Sequence, residues 1–181
     1  FVAKDLTYRF KGGKIGLHPL SFSEDSGKLI GIMGASGSGK STLLNILNGN
    51  YKPFSGAVTI NGQDIHGGSE EVNGMIGYIS QDDLLIDELT VYQNLFLNAK
   101  LCFDGLSNED IRERVDGTLT ALGLFEIKDI QVGNPMNKKI SGGQRKRLNC
   151  GLELIREPSV LFVDEPTSGL SSRDSENIMD L

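Results

Sequence analysis

The stretch Gly34-Ala35-Ser36-Gly37-Ser38-Gly39-Lys40-Ser41 decides the fold. The apolar run Lys28–Met33 leads into it, and Thr42-Leu43-Leu44-Asn45-Ile46-Leu47-Asn48-Gly49 follows. It satisfies G-x-x-x-x-G-K-[ST] in full, in the setting that gives the pattern meaning: strand, loop, helix. Lys28–Met33 reads as a strand buried on both faces, and the residues after the loop as a helix of about two turns ending at Gly49. The glycines let the backbone wrap a phosphate closely enough for its N–H groups to point inward, and some positions there require positive φ. A helix beginning near Lys40 turns the positive end of its dipole toward the same anion. In such a loop Lys40 reaches the β- and γ-phosphates, and the Ser41 hydroxyl can ligate Mg²⁺.

Working outward, Val2–Phe10 and Ile15–Phe22 alternate as two strands around the turn Lys11-Gly12-Gly13. Gly56–Ile60 reads as a strand entering an Asn61-Gly62 turn, and Met75–Ser80 as another. Helical signals then take over. Thr90 with Gln93, and Ser107 with Asp110, form capping boxes. Ile111, Val115, Leu119 and Leu122 recur at helical spacing, with Gly123 at the C-terminal cap. A third helix starts at Ser141 with Leu148, Leu152 and Ile155 on one face, and Ser159–Asp164 returns to a buried strand. The sequence predicts an α/β core from residues 1–85 and 151–181, with a helical subdomain, 86–150, inserted in it.

Composition removes other classes. Lys plus Arg total 18 and Asp plus Glu 24, a net charge of −6, with no dense basic run to grip a nucleic-acid backbone. The basic triplet Arg145-Lys146-Arg147 reads as a solvated helix face. No apolar run approaches the roughly 18 residues of a membrane span, and no signal segment opens the chain. Cys102 and Cys150 form no CxxC pair, which argues against a disulfide scaffold or a thiolate metal site. A GTPase fits badly. Ile140 stands where N-K-x-D would need Asp after Asn137-Lys138-Lys139, and the one D-x-x-G, Asp64–Gly67, follows a turn rather than a strand end. The loop alone leaves a small-molecule kinase open.

Two further motifs carry chemistry. In Ser159-Val160-Leu161-Phe162-Val163-Asp164-Glu165-Pro166, an apolar strand delivers Asp164, the charged partner that Mg²⁺ needs. Glu165 is then placed to orient and deprotonate the attacking water. In Ile140-Ser141-Gly142-Gly143-Gln144-Arg145-Lys146-Arg147-Leu148, Ser141 caps a helix that opens on Gly-Gly, exposing N–H groups at a positive helix end. By itself this is equally an ordinary capped helix.

Together these pieces resemble the nucleotide-binding domain of ATP-binding cassette transporters over essentially the whole chain. The resemblance implies a P-loop NTPase core, RecA-like, with a mixed or parallel sheet flanked by helices, an N-terminal antiparallel β part and an inserted helical subdomain. Gly34–Thr42 resembles the family's phosphate loop, Tyr78–Asp83 its glutamine loop with Gln81, Ile140–Gln144 its signature, and Leu161–Glu165 its Mg²⁺ strand. Ser168–Ser172 resembles the loop that crosses to the second subunit. The implied cofactors are ATP and Mg²⁺. In the family two domains pair head to tail, so Ser141, Gly142, Gly143 and Gln144 would serve the partner's ATP while Gln81 approaches Mg²⁺ and the water. Adenine stacks on an early aromatic residue; Phe10 is the candidate and Tyr8, on the same strand face, the fallback.

Two departures stand out. Ser171 occupies the place where the family usually has Asp. No histidine follows Glu165, and His18 and His66 lie far upstream of the family's switch position. A chain that opens at Phe1 without methionine and stops at Leu181 in a helical pattern is expected to be a segment of a longer protein, lacking the C-terminal part of the core and barely active alone. The finer resemblance is to exporters whose ATPase precedes the membrane domain, which implies a transmembrane partner in the same or a separate chain. It also implies a place at the cytoplasmic face of the membrane and no nucleic-acid partner. The alternatives are a non-transport cassette ATPase acting on ribosomes or DNA, and a regulatory ATP-binding module without turnover; Glu165 argues against the last.

Overall fold

The computed structural model describes residues 1–68, 72, 74–134, 137 and 139–180. Contacts divide the chain into two compact units, Phe1–Ile76 and Gly77–Leu181.

The first unit is built on an antiparallel sheet of order β2-β1-β3-β4, with β1 at Val2–Arg9, β2 at Ile15–Ser23, β3 at Ser55–Ile60 and β4 at Gln63–Asp64. Register slips between Lys4 and Thr7 on β1, and Asp5 at the slip has φ 49°. Gly56 stands opposite with φ 89°, and a Cβ there would fall on the carbonyl oxygens of Lys4 and Asp5. Only glycine fits that close approach. Inward-facing Ala3, Leu6, Val58 and Ile60 are buried, as are Leu44, Ile46 and Leu47 of helix α1, Lys40–Leu47.

Lys28–Met33 is not the buried strand that its apolar run predicts. These residues join neither sheet, and Leu29 and Met33 are 90% and 94% exposed. An apolar run becomes a doubly buried strand only where ladder partners flank it. Among the described residues β2 and β4 end the sheet and no strand pairs with this segment.

Strand β5, Ile76–Ile79, which belongs to the second unit from Gly77 on, pairs with β6, Val160–Val163. Helices α2 (Val91–Cys102), α3 (Asn108–Ala121) and α4 (Gly142–Leu154) lie between them in sequence, and α5 (Ser172–Met179) follows. Both expected capping boxes form. Thr90 accepts from the Gln93 N–H at 3.1 Å, Ser107 accepts from that of Asp110 at 3.2 Å, and each third residue's side chain reaches back to the cap. Gly123, φ 63°, closes α3, with Leu124 N–H bonded to Leu119 O at 2.8 Å. The apolar faces of the three helices meet in one core containing Val91, Leu95, Ile111, Val115, Leu119 and Leu148. Burying each such side chain stabilises the unit by about 1.5–3 kcal/mol. Gly151 permits the helices to close, since a Cβ there would lie 2.6 Å from Leu122 Cδ1. A smaller cluster, Ile79, Cys150 and Ile178, ties α4 to β5 and α5. Among the described residues no helix is long and apolar enough to cross a membrane.

Candidate functional site

In the first unit the loop from Gly34 to Ser41 has the backbone its sequence asks for. Gly37 and Gly39 take φ 76° and 97°, and a Cβ on Gly34 would lie 2.7 Å from Ser38 Oγ. Gly39 is the N-cap of α1 and offers no side-chain acceptor to its first N–H groups. That helix end is therefore left for an anion. Lys40 Nζ donates to the carbonyl oxygens of Gly34 and Ala35, both at 3.0 Å, so the ammonium folds over the loop it serves. Ser41 is exposed in the first turn and Thr42 is half-buried beside it. Asn45 Nδ2 donates to Ser41 O at 2.7 Å and steadies that turn.

The aromatic candidates lie on β1 and just past it. Phe10 is 41% exposed and meets Tyr8 edge-on, ring centroids 5.3 Å apart. One face of Tyr8 is covered by Tyr51, stacked at 5.5 Å and 14°. A residue the sequence does not flag joins this cluster to the phosphate loop. A Cβ on Gly16 would lie 2.7 Å from Phe10 Cε2 and 2.9 Å from Tyr8 Cδ1, and one on Gly39 would lie 3.4 Å from Gly16 O. The aromatic pair and the loop thus meet across Gly16. A lone glycine in an alternating strand is the one signal that pointed there.

In the second unit Ser141 caps α4. Its hydroxyl accepts from Gln144 N–H at 3.1 Å, and Gln144 Oε1 accepts from Ser141 N–H at 2.8 Å. Gly142 is exposed, while Gly143 is buried beneath Asp174, whose carboxylate occupies the place a Cβ would take. Ser171 caps α5, accepting from Asp174 N–H at 3.2 Å and donating to Asp174 Oδ2 at 2.8 Å. The crossing-loop serine therefore already has a local structural task.

Asp164 follows β6, half-buried, with its N–H bonded to Ile79 O at 2.9 Å. Glu165 is exposed and has φ 47°, a left-handed conformation costly for a residue with a Cβ. Gln81, just after β5, is exposed.

The basic triplet is not the solvated helix face that its sequence suggests. Arg145 donates to Asp83 at 2.6 and 3.1 Å, to Asp87 at 2.7 Å and to the Gly133 carbonyl, and its side chain is 12% exposed. The hydrogen bond to Asp83, and then that to Asp87, hold the guanidinium well above its ordinary pKa against the opposing effect of burial. Lys146 is buried and donates to the carbonyls of Ser80 and Gln81 at 3.1 and 3.2 Å. Arg147 lies 3.7 Å from Asp174 Oδ1. A triplet on one helix cannot face water on every side, and its partners Ser80, Gln81, Asp83 and Asp87 are brought in from 58 to 66 residues upstream, while Asp174 comes from downstream.

Residues 17–168 match the protein family described as ABC transporter. The chain is 38% identical over 171 residues to ABC transporter G family member 23 of Arabidopsis thaliana, covering 91% of this chain and 27% of that protein. It is 38% identical over 167 residues to a probable ATP-dependent permease of Saccharomyces cerevisiae, covering 91% of this chain and 16% of that one. A solved ATP-binding cassette, MJ0796, in a dimeric post-hydrolysis state with ADP and Pi, superposes with TM-score 0.82 at 30% identity, covering 99% of this chain and 79% of its own. The fold is thus that of the P-loop NTPase core of ABC ATPases. The chain belongs to the ABC transporter family and forms an ATP-binding domain of that family. It spans about a quarter or less of the length of the curated relatives it matches.

Proposed function

We propose that this chain binds ATP with Mg²⁺ and hydrolyses it as one half of a head-to-tail pair. Closure of that pair would drive export through transmembrane helices in the same or a separate chain, which puts the domain at the cytoplasmic face of a membrane. The observation that carries this reading is the loop itself. Gly37 and Gly39 have positive φ, α1 begins without a side-chain cap, and Lys40 is folded over the loop, donating to the backbone carbonyls of Gly34 and Ala35. Backbone N–H groups converging with an ammonium on one concavity suit a polyphosphate.

Gly34–Thr42 hold the phosphates, and Phe10 offers its ring to adenine. Ser41, Gln81 and Asp164 each carry an oxygen donor of the kind Mg²⁺ favours and are the residues that would hold it. When bound, Mg²⁺ neutralises the phosphate oxygens during transfer. Glu165 accepts a proton from water as the water oxygen bonds to the terminal phosphorus and the bond to the bridging oxygen breaks, releasing ADP and phosphate. Ser141, Gly142, Gly143 and Gln144 present the start of α4 to the partner's nucleotide. Because loop and signature of one chain serve different nucleotides, a single copy of residues 1–181 turns ATP over weakly or not at all.

Lys40→Ala tests the assignment. Each charge-assisted bond to phosphate contributes about 1.5–3 kcal/mol and Lys40 makes more than one, so binding of labelled ATP should vanish from a titration that wild type saturates. Equal affinities would sink the reading.

A further inference from the structure

The segment after β5 is bound to α4 through the side chains of Arg145, Lys146 and Asn149. Lys146 donates to Ser80 O and Gln81 O, Arg145 holds Asp83 and Asp87, and Asn149 Oδ1 accepts from Leu84 N–H at 3.0 Å. Lys146 and Asn149 are both buried. A buried ammonium is retained only where acceptors replace its water, and here two of them are main-chain carbonyls of the segment carrying Gln81. Lys146 lies on the helix that Ser141 and Gln144 begin.

We propose that Lys146 is a positioning residue: it fixes the main chain of Gln81 to the signature helix, so that Gln81 moves with Ser141–Gln144 and not independently of it. The inference rests on the proposed role of Gln81 toward Mg²⁺ and water. Lys146 itself touches neither. Its ammonium removes one degree of freedom, the swing of the Gln81 peptide away from α4, and a displacement of about 1 Å at a reacting group can cost 10²-fold in rate.

Lys146→Met keeps the length and apolar stem while removing the donors. In the full-length protein, amide hydrogen exchange across residues 80–84 should quicken in the nucleotide-free state. Mg²⁺-dependent ATPase should lose ten- to about a hundredfold in kcat with KM for ATP unchanged, and need more Mg²⁺ for half-activation. Lys146→Arg, which retains charged donors, should restore both protection and kcat toward wild type. Gln81→Ala separates the two layers. If Gln81→Ala lowers kcat while Lys146→Met leaves kcat and exchange at wild-type values, the positioning role is overturned. If Gln81→Ala leaves kcat and the Mg²⁺ requirement unchanged, the underlying reading of Gln81 fails. A lowered melting temperature of Lys146→Met with unaltered protection of residues 80–84 also overturns the proposal, because it reduces Lys146 to bulk packing.

Discussion

Arg145 and Asp83, 62 residues apart in sequence, are joined by two hydrogen bonds, Nε to Oδ2 at 2.6 Å and Nη2 to Oδ1 at 3.1 Å. Removing the guanidinium strands two carboxylates, because Asp87 shares it. Arg145→Ala should therefore destabilise the domain by about 2–4 kcal/mol, within the range for breaking a shielded, charge-assisted pair. Asp83→Asn should cost less. A double-mutant cycle by urea unfolding should return a coupling of at least ~1 kcal/mol; additive costs would show that the pair contributes nothing beyond its separate contacts.

Gly16 separates the aromatic pair from the phosphate loop. Gly16→Val would push branched carbons into the Phe10 ring, which a single Cβ already meets at 2.7 Å. ATP affinity should fall by about tenfold, near the worth of one aromatic stacking contact, with phosphate contacts intact. Comparing ATP with tripolyphosphate by calorimetry checks this: only ATP should weaken.

Glu165→Gln keeps the size and a hydrogen-bonding group but cannot take up the water's proton. Hydrolysis should slow by about 10²–10⁴-fold while ATP binding is retained. With ATP trapped, the full-length variant should accumulate as a nucleotide-dependent closed pair, and adding Ser141→Arg should open it without removing ATP. Light scattering of the purified full-length variant with and without Mg-ATP, and phosphate release, measure the two halves. Wild-type turnover in the single variant would remove Glu165 from the role of base.

Cys150 is buried against Ile79 and Ile178, and burial raises its thiol pKa above the ordinary 9.0 despite the opposing charge of Lys146. The folded state therefore holds that proton more tightly than the unfolded chain. Its contribution to stability is complete below pH 9 and is lost as pH rises through the higher folded value. Unfolding midpoints at pH 8 and 10.5 should fall further apart for wild type than for Cys150→Ala. In native protein a thiol reagent should label exposed Cys102 and leave Cys150 until unfolding.

Local signals carried most of what the sequence revealed. Capping boxes at Thr90 and Ser107, the Gly123 cap and the helical spacing of Ile111, Val115 and Leu119 depend on neighbours within four residues, so the chain states them directly. The phosphate loop is similarly self-contained. Three things were not legible. The carboxylates that hold Arg145 and the main-chain carbonyls that hold Lys146 lie far upstream, and no periodicity encodes them. Gly16 matters only because β2 brings it beside Phe10 and Gly39. Lys28–Met33 has the composition of a central strand, yet composition states a capacity for pairing and cannot supply the strand it would pair with.

The backbone at Glu165 carries a consequence for anyone who would evolve this domain. A carboxylate residue held at φ 47° pays conformational strain that glycine, and to a lesser degree asparagine, would escape. With Glu165 as the proposed base, replacing it should make the domain slightly harder to melt and cut its turnover by about 10²–10⁴-fold in one step. A laboratory selection for heat resistance alone would thus drift toward inactive proteins at this position, and a stabilised library has to be screened for phosphate release before its survivors are counted as improvements.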